Sequence, residues 1–397
     1  MTKLLAQHGS AKGKKIEIAM ESDYLQGAIF APREEKYSSI KDYIERTGFL
    51  DKDTTFLDPQ LYYSTFEGSK FKNLENYPNY PTGITRRDWR KQTPELLNFL
   101  DSHGTSTKSI SNNLITPGFY IQSLDWKFDY SLDIYEYCRK KYEFNKYYLS
   151  LLIATSFFHS KSDVDEMLED LSENVDNKDG IYFILCHDEN QEKNYEYMDS
   201  ENIANIIYFI YSLRQMGFNI INGYTFMNGI LSAMLDCEYV ATGWFNTLRI
   251  FRKERFEEID TMGIRKKRYT SIPLLSYITF DNINNIGGAI DVDSLLSGCD
   301  IDEDVKYDQD AISFVDLEQQ YWQALHIFIS EVNDFEELSD KINYVQGAIK
   351  ESKKLYSEIL ENLVQNKEIY NRIKIESKHL DSWILGIEMF KKRIALI

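Results

Sequence analysis

The chain has 397 residues, 45 Lys and Arg against 63 Asp and Glu, and a formal net charge of −18. That length exceeds one ordinary core and predicts one large domain with an appendage. The acidic balance argues against nucleic-acid binding spread over the surface, and no apolar run reaches the roughly 18 residues that a membrane helix needs, so a soluble, cytoplasmic chain with no membrane partner is expected.

In chain order, short apolar runs alternate with amphipathic stretches. KLLAQHG (3–9) and QGAIFAP (26–32) predict two strands, each followed by a helix, KGKKIEIAMES and YSSIKDYIERTGF, the second capped by Ser38 or Ser39. TTFLDPQLY (54–62) predicts the third strand, and a Tyr-, Pro- and Asn-rich loop over 63–92 follows. TPELLNFLDSHG predicts a helix with Pro in its first turn and Gly104 just past its end, which makes His103 a residue compensating the helix dipole. SISNNLITPGFY (109–120), YYLSLLIATSFF (147–158), GIYFILCHDEN (180–190), FNIINGYTF (218–226) and EYVATGW (238–244) are the remaining strands. Helices lie between them, including KSDVDEMLEDLSEN with Ser162 as its cap. The strands are continuously apolar, as in a parallel sheet buried on both faces.

Eight such units predict a (β/α)8 TIM-type barrel over residues 1–250. A mixed acidic and basic connection follows over 251–310, then an all-α appendage of three helices over 311–397, suited to self-association or a protein partner. The acidic run DIDEDVKYDQD (300–310) lacks the Gly and Glu spacing of a calcium loop and reads as a solvated linker. Cys138, Cys186, Cys237 and Cys299 form no CxxC pair, so there is no zinc–cysteine motif, and the sequence implies no particular cofactor. RIFRKERF and GIRKKRY, within 249–269, are the one local basic patch through which nucleic acid could bind; a solvated connection is the plainer reading.

A β/α barrel builds its site at the C-terminal ends of its strands. Those ends supply His8, Arg33, Asp58, Gln60, Tyr62, His187, Asp188, Asn222, Tyr224, Trp244, Asn246 and Arg249. Asp58 leads the catalytic candidates, because a carboxylate after a buried strand and before Pro59 needs a partner or a substrate. It can equally cap the next turn or pair with Arg33. His187 and Asp188 are the second proton-transfer candidates; in the CHDEN run they also fit a solvated acidic loop. The remaining residues are candidate substrate contacts, and Gly243 in ATGWFNTLRIF can let backbone amides approach an anion.

LLAQHG, AIFAPRE, FLDPQLY and VATGWFNTLRIF resemble a group of bacterial barrel proteins whose barrel is similar to that of tRNA-guanine transglycosylases, over roughly residues 3–250. The resemblance implies aspartates on the barrel rim as nucleophile and base, with Asp58 and Asp188 as the matching acids. The chain lacks that family's zinc cysteines. The resemblance also suggests a multi-protein bacterial system such as antiphage defence. Three readings follow: an enzyme of glycosyl-transfer or hydrolase type acting on a nucleoside- or glycoside-like small molecule; a non-catalytic subunit that meets its partner through 311–397; and metal-dependent hydrolysis through His8, Asp58 and His187.

Overall fold

A computed structural model describes the chain except residues 49–50, 67, 189–195, 258–265, 288–289 and 396–397. The strands are β1 (Lys3–Gln7), β2 (Ala28–Phe30), β3 (Thr55–Leu57), β4 (Asn113–Thr116), β5 (Tyr120–Ile121), β6 (Lys146–Ala154), β7 (Gly180–His187), β8 (Asn219–Gly223), β9 (Tyr239–Thr242), β10 (Phe251–Arg252), β11 (Arg268–Ser271) and β12 (Ser276–Thr279). Eight of them pair in parallel in the order β3-β2-β1-β9-β8-β7-β6-β4, with β5 extending beside β6 and β10 beside β7. This is a nearly closed (β/α)8 barrel with a helical C-terminal tail, as the alternation of apolar runs predicts. The open seam lies between β3 and β4. Loop bonds bridge it: Asn112 N donates to Lys52 O at 3.0 Å and Asn113 Nδ2 to Asp53 O at 2.8 Å.

The barrel interior is aromatic. Phe56 meets the rings of Tyr148 and Tyr239 edge-on, at 5.5 and 5.6 Å. Such rings fit because small residues face them. A Cβ on Gly180 would lie 2.4 Å from the Tyr148 ring, and one on Gly223 2.6 Å from the Tyr182 ring. Large and small residues thus interdigitate across the barrel, which keeps a tyrosine-rich interior at native density.

The helix over Phe314–Asn333 packs against Lys15–Glu21 on one side and Gly229–Ala233 on the other. Near its start, Tyr321 Oη lies 2.6 Å from Thr242 Oγ1 at the top of β9; at its end, Asn333 bonds Thr2 at the foot of β1. It runs back down the barrel in the place of an eighth outer helix. Residues 246–313 are therefore inserted in sequence between the eighth strand and its helix, and their described part includes the antiparallel β11–β12 pair. Helices Leu338–Asn362, Lys367–Glu376 and Lys378–Arg393 follow, the last packed along Ser200–Gln215. Four C-terminal helices stand where three are expected, because the final one breaks at Ser377. Among the described residues, no helix is long and apolar enough to cross a membrane.

Three local expectations change. The helix beginning at Pro94 continues through Gly104 to Ile110; Gly104 serves close packing, since a Cβ there would meet the Tyr142 ring at 3.0 Å. His103 is consequently buried mid-helix between Tyr77 Oη (2.9 Å) and Ile115 O (2.8 Å), a core histidine rather than a dipole-compensating one. The helix over Lys161–Asn174 is capped by Ser160, not Ser162, and Tyr37–Thr47 begins without a side-chain cap.

Candidate functional site

Asp58 follows directly on β3 and is 0% exposed. Its Oδ1 accepts the Gln60 N–H at 2.9 Å, closing a turn in which Gln60 takes a left-handed backbone, φ 55°. That turn starts the 3₁₀ segment Leu61–Thr65, which returns Tyr62 so that its hydroxyl donates to Asp58 Oδ2 at 2.9 Å. Tyr182, inside β7, approaches the same oxygen and Gln7 Oε1, both at 3.3 Å; its single proton serves one of them at a time. Gln60 Nε2 donates to Tyr224 Oη at 3.2 Å, and Tyr80 Oη donates to Gln60 O at 2.7 Å. Tyr224 also has a left-handed backbone, φ 54°. For non-glycine residues each such conformation costs about 1–2 kcal/mol. Buried Gln7 Nε2 and Gln60 Oε1 have no hydrogen-bond partner among the described residues.

Among the described residues, no cation forms an ion pair with Asp58. Burial pushes its carboxyl up to about 6, against the opposing hydrogen bonds from Gln60, Tyr62 and Tyr182. Of the two plainer roles for this residue, the cap is present, in the bond to Gln60 N, while Arg33 pairs with Glu34 instead (Nη1 to Oε1, 2.9 Å).

Glu34 anchors a cleft above this network. Besides Arg33 it meets Arg255 at 3.3 Å and Lys72 at 3.5 Å. Burial works to raise its pKa, but the charges of Arg255, Lys72 and Arg33 outweigh it and hold the carboxyl below its usual range. Arg255 also lies over the Tyr224 ring at 4.9 Å and donates to Tyr63 Oη at 3.4 Å. The cleft measures about 270 Å³ and is lined by Ser10, Arg33, Glu34, Lys70, Lys72, Phe245, Thr247, Leu248, Glu254, Arg255 and Glu257. It lies beyond the ends of β1, β2, β9 and β10, on the C-terminal face of the barrel. Arg255 of its lining lies over the Tyr224 ring, and Tyr224 accepts from Gln60 of the Asp58 network.

The other candidates are placed elsewhere. His8 is fully buried; its Nε2 donates to Glu35 at 3.2 Å and its Nδ1 accepts from Ala31 N at 3.4 Å. His187 lines a small apolar cavity with Ile203 and Ile207 of the outer helix Ser200–Gln215. Asp188 accepts from Thr155 Oγ1 and from Ser156 N and Oγ, at 2.9, 3.1 and 2.6 Å; burial works to raise its pKa, and these bonds lower it. Neither residue takes part in the Asp58 network. Glu189, the next acid of that run, lies outside the described residues, as does the 258–265 part of the basic patch. Asn222 faces outward and donates to Ser232 Oγ at 2.6 Å. Trp244, Asn246 and Arg249 line a separate cleft beyond Phe245. Gly243 does not open toward an anion: a Cβ there would meet Leu248 at 2.3 Å, so the glycine lets Leu248 pack. Among the described residues, no group of three or more His, Cys, Asp or Glu side chains is placed to hold a metal ion. Of the predicted residues, Asp58, Gln60, Tyr62 and Tyr224 come together, with Arg33 in the cleft above.

Tyr182 and Arg255 complete the site without having stood out in the sequence. Tyr182 sits in the middle of an apolar run, and Arg255 in a basic run of the kind that usually faces solvent. No protein-family model, curated protein or solved structure matches this chain.

Proposed function

We propose that the barrel binds a nucleoside- or glycoside-like small molecule at its C-terminal rim, with Asp58 as the proton-exchanging group behind the cleft. The observation that carries this reading is the meeting of two left-handed non-glycine residues, Gln60 and Tyr224, side chain to side chain, beside a buried carboxyl that forms no ion pair among the described residues. Strain and unmatched polar groups kept together at strand ends are characteristic of sites rather than of cores. Four cations and three carboxylates line the cleft, a near balance that suits a neutral, hydroxyl-rich ligand. A carboxyl near 6 exchanges protons at physiological pH, as glycosyl transfer or hydrolysis requires. His187 and Asp188 do not face it, so the second proton function falls to Glu254 in the cleft.

The test is a thermal-shift and calorimetric survey of nucleosides and sugars with wild type, Asp58→Asn and Lys72→Ala. A ligand should stabilise wild type and lose its effect in a still-folded Asp58→Asn protein. No response from wild type, together with a strongly destabilised Asp58→Asn variant, makes Asp58 a structural residue and ends the proposal.

The complete burial of Asp58 favours a second reading, in which the barrel only binds and the protein serves as a subunit of a larger assembly such as a defence complex. Val364 and Leu385, 59% and 56% exposed in the C-terminal helical region, then belong to the partner surface. Binding without chemical change in the ligand, and loss of a partner in Leu385→Asp, would distinguish it.

A further inference from the structure

A second cleft, also about 270 Å³, opens on the other side of Phe245–Thr247. Among the described residues its charges are not balanced: Arg249, Lys266 and Arg268 face one carboxylate, Glu318. Glu318 is in turn 3.6 Å from Lys15.

Arg249 is the unusual member. It is only 7% exposed, and its hydrogen bonds go to main-chain oxygens, Nε to Gly243 O at 3.0 Å and Nη2 to Trp244 O at 3.2 Å. Its guanidinium lies 3.4 Å from the centre of the Tyr321 ring. Carbonyl dipoles and a ring face thus hold a buried charge that no carboxylate of the described residues touches, and Nη1 is the nitrogen those two carbonyls leave over. Burying a guanidinium without an anion is costly, and a planar cation of this kind matches phosphate oxygens.

Two further groups in the same cleft are deficient in the same sense. Trp244, 2% exposed, has its indole Nε1–H buried without an acceptor, and so does Arg268 at Nε. Both are donors. Against these two donors stands one buried acceptor of the same cleft, Glu318 Oε2, which Lys15 approaches at 3.6 Å. Lys266 is exposed, and among the described residues its ion pair is with Asp281 at 3.6 Å, so it can turn to a ligand. Phe245 and Phe314 supply flat apolar walls.

We infer that this cleft is a phosphate site, in which Arg249, Arg268, Lys266 and the Trp244 indole receive a phosphate group, either free or carried by a mononucleotide whose base lies against Phe245 and Phe314. The inference does not rest on the reading of Asp58, since the two clefts use different cations.

Calorimetric titration of the full chain at fixed ionic strength, with inorganic phosphate, adenosine 5′-monophosphate and adenosine, tests it. Phosphate and the monophosphate should bind saturably. Lys266→Gln and Arg268→Gln should each weaken binding about tenfold, the effect of losing one charge-assisted contact. Lys72→Ala, on the other cleft, should leave it unchanged. Lys266 is exposed, so its variant keeps the fold even if Arg268→Gln does not. Monophosphate binding tighter than phosphate marks the site as a nucleotide site; equal affinities mark it as a site for the phosphate alone. The inference is overturned if neither ligand binds up to about 10 mM, if Lys266→Gln binds as wild type, or if the loss follows Lys72→Ala instead. A nucleoside response that survives Lys266→Gln and vanishes in Asp58→Asn belongs to the other cleft.

Discussion

Asp58 and Glu34 stand just past the ends of neighbouring strands, both nearly closed to solvent, and they are held in opposite ways. Burial pushes each carboxyl toward its neutral form. Around Asp58 two hydroxyls, an amide N–H and, least of all, the charge of Arg255 oppose that push, and burial wins. Around Glu34 two guanidiniums and an ammonium oppose it, and the charges win. Depth in the barrel does not decide the state of a carboxyl; the neighbours do. One face of one barrel therefore keeps a carboxyl that burial pushes toward its neutral form beside one that cations hold ionised.

Breaking the anchor should have the largest effect. Glu34→Ala leaves Arg33 and Arg255 buried without their anion and should cost about 3–5 kcal/mol in urea unfolding. A cost below about 1 kcal/mol would place the cluster with ordinary surface ion pairs.

The titratable partner should show itself through pH. With a folded-state value near 6, above the ordinary 3.8, Asp58 holds its proton more tightly in the folded chain. Its contribution to stability is therefore present in acid and falls away as pH rises from about 4 to 6, by about 3 kcal/mol. Comparing wild type with Asp58→Asn across that range isolates the term; parallel curves would contradict it.

Tyr182→Phe sharpens the comparison at the smallest cost, about 0.5–1.5 kcal/mol for one hydrogen bond. Because that bond favours the charged carboxylate, its loss should move the Asp58 transition to higher pH, which the same stability curves would register. An unmoved transition would assign the Tyr182 proton to Gln7.

The barrel was legible because parallel strands buried on both faces must be apolar throughout, and eight such runs punctuate the first 250 residues. That same continuity hid Tyr182: a run without alternation does not say which side chains point inward. Asp58 was legible as a lone acid after a strand, and the turn chemistry of Asp-Pro-Gln placed Tyr62 beside it. His187 and Asp188 satisfy the same rule of strand ends and still do not join, because one faces the outer helix and the other is taken by Thr155 and Ser156. Arg255 gave no signal. Its partners lie at positions 34 and 63, and nothing in a basic run announces a buried arginine. The helix at 314–333 was visible as a helix but not as part of the barrel, since an insertion separates it from the strand that it follows.

That displaced helix has a consequence for biosynthesis. Thr2 and Asn333 exchange two hydrogen bonds across 331 positions, at 2.8 and 2.9 Å. On a ribosome the first strand emerges roughly 20–60 s before the helix that covers its flank, at ordinary elongation rates. Through that interval the strand's flank stays bare, and until β9 pairs with it one edge is open to other nascent chains as well. Production of this protein should respond to chaperone supply and to translation speed more than its finished stability suggests.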